Sequence, residues 1–182
     1  MDIYMNAFRE KINMPIKVAN KSFAIFLLSL ALIGCGSVEH KLDLQSSYSP
    51  AVATKIEVGK VTNETGQTFD VNVEQMLTDA LGEKLREENL LWTGQKDEKL
   101  ILSSKIIEYE KGNAFKRWLL PGWGSTVIAV HADLKKGDQM VGSEQARRTV
   151  SIGGAYTIGA WRTIFNSIAE DIVDDLREKI PK

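Results

Sequence analysis

The feature that most limits how this chain can fold is an apolar segment near its N-terminus. Lys17 and Lys21 precede the apolar run from Phe23 to Ile33, which is interrupted only by Ser29 and ends in small residues. Basic, apolar and small residues in that order are typical of a cleaved secretory signal. The 11 residues of the run span about 17 Å as a helix, too little for the roughly 30 Å hydrocarbon core of a membrane. We therefore predict that residues 1–34 are a signal peptide outside the folded domain.

The end of this segment, Leu32-Ile33-Gly34-Cys35, resembles the bacterial lipobox. In lipoproteins with that motif the Cys takes a diacylglyceryl group, and a peptidase cleaves directly before it. A thiol suits this role because its thiolate is a strong nucleophile. The resemblance implies that Cys35 is the lipidated N-terminus, anchored by acyl chains such as palmitate. Gly36, at a position where Asp favours the inner membrane, implies an outer-membrane lipoprotein facing the periplasm. The alternative is an unmodified Cys at the end of an apolar segment.

Met14 is a second candidate start of the chain, because it leaves a compact signal of 21 residues. Removal of residues 1–34 changes the net charge from −1 to −3, since that segment carries four basic and two acidic residues. A chain without a basic surplus gives no reason to expect nucleic-acid binding. A single Cys excludes an internal disulfide framework and a Cys-rich zinc site. We therefore expect no nucleic-acid partner, no metal and no cofactor.

Hydrophobic periodicity divides the rest of the chain into a tether and one domain. Residues 35–50 are polar and show no sustained period, which predicts a flexible tether. His40 lies in this tether, and we expect it to be exposed and without a partner. Alternation of apolar and polar residues predicts strands at 51–61, 99–110, 126–134 and 139–152, with a short candidate at 90–93.

Two segments have the period of amphipathic helices. The first is predicted over 71–88 with Asp70 as its N-cap, and the second has an apolar stripe from Trp161 to Ile180. The polar face of the second helix is acidic, which favours a helix that closes the core over one that lies on an anionic membrane. The order of elements predicts an α+β domain over 51–182, with a mostly antiparallel sheet of four to five strands packed by two amphipathic helices.

An aromatic and basic loop is the most unusual segment of the predicted domain. Phe115–Ser125 joins two predicted strands and contains Lys116, Arg117, Trp118 and Trp123. Such residues suit a loop that dips into a membrane interface, or a hot spot for a protein partner. The alternative is a loop folded back over the sheet, since most apolar clusters of single domains belong to the core. These four residues form the candidate interaction loop.

His131 and Asp133 are the one pair that suggests catalysis. They lie two residues apart on a predicted strand and therefore share a face, where a carboxylate can orient an imidazole for base catalysis. The sequence places no nucleophile or group of metal ligands beside them, so solvent-facing polar residues are the favoured interpretation. An envelope hydrolase or transferase that uses His131 and Asp133 is the alternative function.

The stretch from Lys111 to Gly154 resembles a bacterial lipoprotein family called domain of unknown function 4410. The matching residues are mainly Gly112-Asn113, Arg117-Trp118, Gly122, Gly124, Gly137 and Gly153-Gly154. With the first strand and the two helices, the resemblance covers most of the chain after Cys35. It carries over no activity, cofactor or catalytic residue. We therefore expect a lipid-anchored, non-enzymatic binding or assembly module with an envelope protein as its partner.

Overall fold

We describe a computed structural model of the chain at residues 38–94, 98–119, 123–151 and 159–181. The predicted signal peptide and the lipobox residues lie outside these ranges. The elements follow one another as β1 (Val38–Leu44), β2 (Lys55–Asn63), α1 (Val73–Glu87), β3 (Lys99–Glu110), α2 (Ala114–Leu119), β4 (Thr126–Lys136), β5 (Gln139–Val150) and α3 (Ala160–Lys179).

The strands form one sheet in the order β1-β5-β4-β3-β2. β2 and β3 pair in parallel, with α1 between them along the chain, and the other pairs are antiparallel. α1 and α3 pack on each other and on one face of the sheet, where the buried residues form a single core. The opposite, outer face carries charged side chains, among them Glu108, His131, Asp133 and Arg147. The predicted α+β class, with a mostly antiparallel sheet of four to five strands packed by two amphipathic helices, is confirmed.

Both long helices follow the predicted apolar stripes. In α1, Leu77, Leu81 and Leu85 are fully buried, and the helix begins one residue after its N-cap, Asn72, whose Oδ1 accepts a hydrogen bond from Gln75 N at 2.8 Å. The prediction that Asp70 is the cap is wrong. Asp70 lies too early in the chain to reach the open amides of the first turn, and its carboxylate instead pairs with Lys111 Nζ at 2.8 Å.

The predicted tether at 35–50 is wrong for its middle part, because residues 38–44 form the edge strand β1. This strand pairs with β5 from Val38↔Arg148 to Leu44↔Gly142, and Leu42 is part of the core. His40 is exposed, as predicted, but it is not without a partner, since its Nδ1 lies 2.9 Å from Asp175 Oδ1 on α3. Val38, Leu42 and Leu44 alternate along the strand with charged residues, but His40 takes the remaining position on the apolar side and interrupts the pattern. The domain therefore starts by residue 38, not at 51.

Two smaller predictions change in detail. The short strand predicted at 90–93 is reduced to a single bridge between Ile56 and Leu91. β4 and β5 form the expected hairpin, which turns at Gly137 with a φ of 57°.

Among the helices within the described ranges, none has the length and apolar character needed to cross a membrane.

Candidate functional site

The loop between β3 and β4 is closed at its base by hydrogen bonds. The Asn113 backbone N–H donates to Gly124 O at 2.8 Å, and Thr126 Oγ1 donates to Lys111 O at 3.0 Å. Gly124 has a φ of 66°, and a Cβ there would come within 2.8 Å of Asn113 O and of Lys116 Cβ. Glycine is therefore needed at this position, both for its backbone angle and for the close approach of the two loop ends.

Large apolar side chains of this loop are exposed. α2 begins after Asn113, whose Oδ1 accepts a hydrogen bond from Lys116 N at 3.0 Å. The exposed fraction is 69% for Phe115, 56% for Leu119 and 59% for Trp123, and we call these three residues the apolar patch. Phe115 and Leu119 lie four residues apart on α2 and so share a face. For these residues the structure does not support the alternative of a loop folded back over the sheet.

The four residues of the predicted interaction loop are placed to different extents. Lys116 and Trp123 are at the surface. Arg117 and Trp118 belong to α2, and their side chains lie outside the part of the structure that is described. The predicted lipidation residue Cys35 and the residues of the predicted lipobox, Leu32, Ile33 and Gly34, lie outside the described residues.

The loop leaves the sheet at the same end at which β1 begins. Val38 pairs with Arg148 of β5, and two residues further along β5, Val150 pairs with Thr126 at the start of β4. We call this end, which also includes Glu110 at the end of β3, the loop end of the sheet. The hairpin turn between β4 and β5 lies at the opposite end.

Aromatic and basic side chains also meet at the loop end outside the loop. Tyr109 OH donates to Trp161 O at 3.0 Å, which places the start of α3 here. Lys111 Nζ lies 4.5 Å from the centre of the Trp161 ring, and Arg162 Cζ lies 4.7 Å from it. The hydrogen bond from Lys111 lowers the pKa of Asp70 from its usual range. The loop end thus combines exposed apolar residues with cations held against an indole.

The structure brings the predicted pair His131 and Asp133 together on the outer face. His131 Nε2 lies 3.1 Å from Asp133 Oδ1, and Lys105 Nζ lies 3.9 Å from Asp133 Oδ2. The register places Ser103 and Ser143 opposite Asp133, while His131 faces Lys105 and Gln145. A hydroxyl–imidazole–carboxylate relay needs the imidazole between the other two groups. Here the serines flank the carboxylate, so the pair does not form such a relay.

A polar cluster around the buried Glu144, between the sheet and α3, was not predicted from the sequence. It consists of His40, Glu144, Arg148, Asp171 and Asp175. Arg148 Nη2 pairs with Asp171 Oδ1 at 3.0 Å, and the bond to Asp175 raises the pKa of His40. Glu144 is 1% exposed, and neither of its carboxylate oxygens has a hydrogen-bond partner. Burial, and then the nearby charges of Asp175 and Asp171, raise the pKa of Glu144 to about 9. Glu144 is therefore protonated at neutral pH.

The sequence contains a signal for this cluster. Alternation along β5 puts Glu144, Ala146 and Arg148 on one face and Gln145 and Arg147 on the other, so that charged side chains fall on both faces. Arg147 makes two hydrogen bonds to Glu108 on the outer face, at 3.0 and 3.1 Å. A strand with charges on both faces of a two-layer domain indicates a buried polar group that another element must accompany.

A shallow groove of about 500 Å³ crosses the outer face beside β1. Its outward-facing lining comes from Glu39, Lys41, Ile107, Ala129, Gln145 and Arg147. Ile107 is half exposed at the point where the register of β3 against β4 shifts. The groove does not include His131 or Asp133.

Comparison with known proteins agrees with this fold. Two crystal structures of the PelC dodecamer from Paraburkholderia phytofirmans share 17% and 15% identity with the chain. Each has a TM-score of 0.53 and covers 81% of this chain and 99% of PelC. A Xanthomonas campestris protein of the family DUF330 shares 14% identity over 72% of this chain and 95% of its own, with a TM-score of 0.47. No curated protein matches the sequence significantly.

At such identities the likeness to PelC concerns the fold. The family model called domain of unknown function 4410 (DUF4410) matches residues 45–154, a range that contains the candidate loop, the outer-face pair and Glu144. This range is more than half of the chain, and the protein therefore belongs to the DUF4410 family.

Proposed function

We propose that the protein is a lipid-anchored lipoprotein of the cell envelope, facing the periplasm from the outer membrane, and that it acts as a non-enzymatic binding or assembly module. The observation that carries this proposal is the short chain between the lipobox and the sheet. Cys35 lies three residues before Val38, the first residue of β1. Acyl chains on Cys35 would hold a folded domain directly at a membrane surface.

The fold supports an assembly role. PelC, which has the same fold, forms a dodecamer. The outer face of this chain offers a groove lined by both charged and apolar side chains, with Ile107 half exposed beside Ala129. A mixed surface of this kind suits a partner protein of the envelope, because interfaces combine an apolar centre with a polar rim.

A Cys35→Ser variant of the full-length chain tests the anchor. In a Gram-negative host, we expect the wild-type N-terminal peptide to carry the mass of a diacylglyceryl group and a fatty acid. The variant should lose this mass and be released to the periplasm or retain its signal. Ser37→Ala, two residues away, is the matched control and should behave as wild type. Normal cleavage and unchanged membrane attachment of the Cys35→Ser variant would contradict the proposal.

An envelope hydrolase or transferase is the second candidate function, favoured by the 3.1 Å contact between His131 and Asp133. Incubation with chromogenic esters, phosphates and glycosides tests it. We expect wild type and His131→Asn to give equal, background rates. A hydrolysis rate whose pH dependence fits a single ionisation, and which is lost in His131→Asn, would support the enzyme and contradict the binding module.

A further inference from the structure

We propose that the apolar patch of Phe115, Leu119 and Trp123 inserts into the interface of the membrane that holds the acyl chains of Cys35. The domain would then contact that membrane at two points and keep a fixed orientation on it. The inference rests on the proposed lipid attachment, and it adds a binding surface and a partner of stated chemistry, a phospholipid head-group layer.

The reach of the chain brings the patch to the membrane. Two residues, Gly36 and Ser37, separate Cys35 from Val38, so the Cα atoms of Cys35 and Val38 lie at most about 11 Å apart. Val38 lies at the loop end of the sheet, where β3 ends at Glu110 and β4 begins at Thr126. The opposite end is eleven residues of β4 away, or about 35 Å. A lipid on Cys35 therefore places the loop end, and not the hairpin turn, beside the head groups.

The side chains of the loop end match that environment. Trp is enriched at membrane–water interfaces, because its side chain has a large apolar ring with one polar N–H and so suits the head-group region. Exposed Lys116 lies on α2 within the loop, and Lys111 and Arg162 lie against Trp161 nearby. Cations at this level attract anionic lipid at short range. The charges of Lys111 and Asp70 offset each other in their ion pair, and Glu110 opposes the remaining cations, Lys116 and Arg162.

The base of the loop presents the patch in an ordered form. The bonds from Asn113 to Gly124 and from Thr126 to Lys111 join the two ends of the loop, and Asn113 caps the first turn of α2. Insertion would then order few additional groups, which keeps the entropic cost of binding low.

Depth-dependent quenching tests the inference on the full-length, processed protein. Cys35 is the chain's single cysteine and is consumed by lipidation, so an introduced thiol is unique. Leu119→Cys, in the patch, and Asp138→Cys, in the exposed hairpin turn, are each labelled with an environment-sensitive fluorophore. Each protein is reconstituted into vesicles of phosphatidylethanolamine and phosphatidylglycerol that contain nitroxide-labelled lipid.

We expect the label at position 119 to be quenched at least twofold more strongly than the label at position 138. Adding Trp123→Ser to the Leu119→Cys protein should reduce the difference. Equal quenching at the two positions, with an acylated Cys35 found by mass spectrometry in the same sample, would overturn this inference alone, and the loop would then be a surface for a protein partner. A Cys35 without acyl chains would overturn the proposed anchor together with the inference.

Discussion

His40 Nδ1 lies 2.9 Å from Asp175 Oδ1, so the edge strand β1 is joined to α3, the last helix that the structure describes. β1 is otherwise held by its ladder with β5 and by Leu42 in the core. The contact therefore contributes to keeping the edge strand in place, and a substitution at either residue reports on that strand.

Asp175→Asn should destabilise the domain by roughly 0.5–1 kcal/mol, the range for partly exposed ion pairs. The hydrogen bond to Asp175 raises the pKa of His40 above 6.5. The stabilisation is complete below the unfolded pKa of about 6.5 and declines as the pH rises through the higher folded pKa. Urea melts at pH 5.5 and pH 8.5 should give the larger difference at pH 5.5. Glu178→Gln, exposed on the same helix, is the control. A pH-independent difference would contradict the pairing.

Glu144→Gln should make the domain less sensitive to alkaline pH. The unfolded Glu144 loses its proton near pH 4.5, whereas the folded group keeps it up to a pKa of about 9. The free energy of unfolding therefore falls as the pH rises from the unfolded pKa to the folded pKa. The decline is about 1.4 kcal/mol per pH unit. Melts from pH 5 to 9 should show a smaller decline for the variant, by roughly 2 kcal/mol or more. Parallel curves for the two proteins would show that Glu144 is not a buried acid; Glu39→Gln is the exposed control.

Ile172→Ala should cost about 2–5 kcal/mol, as expected for a truncated buried aliphatic side chain. Ile172 lies on the core-facing side of α3 and is fully buried. Asn166→Ala, on the exposed side of the same helix, should change the free energy of unfolding by less than about 0.5 kcal/mol. Denaturant melts of the two variants check this, and equal small effects would mean that α3 is peripheral.

Gly124→Ala should destabilise the loop more than Gly66→Ala does. Both glycines have positive φ, 66° and 74°, and an Ala pays about 1–2 kcal/mol for that conformation. Only Gly124 would also place a Cβ within 2.8 Å of a backbone oxygen, whereas Gly66 faces open space. The difference between the two variants in chemical denaturation measures the steric contribution. Equal effects would mean that the loop base relaxes freely.

The central strands and both long helices could be predicted because local burial requirements repeat along them. Leu100, Leu102 and Ile106 alternate on β3, and the stripe through Ile168 and Ile172 follows the helical period. β1 was not predicted although Val38, Leu42 and Leu44 alternate with charged residues, because His40 interrupts the apolar side of this short edge strand. Hydrophobic periodicity indicates apolar burial only. It cannot indicate a polar side chain whose partner lies more than a hundred residues away in the sequence.

For the candidate site, residue types and spacing were sufficient to single out the 115–125 loop and to place His131 and Asp133 on one strand face. Exposure of Phe115, Leu119 and Trp123 depends on how the loop base closes through Asn113 and Gly124, and no local pattern encodes that closure. The neighbours of Glu144 and His40 likewise come from α3, packed across the sheet. Periodic burial is a local property and can be read along the chain, whereas the satisfaction or exposure of individual side chains is decided by contacts that form only when distant segments pack.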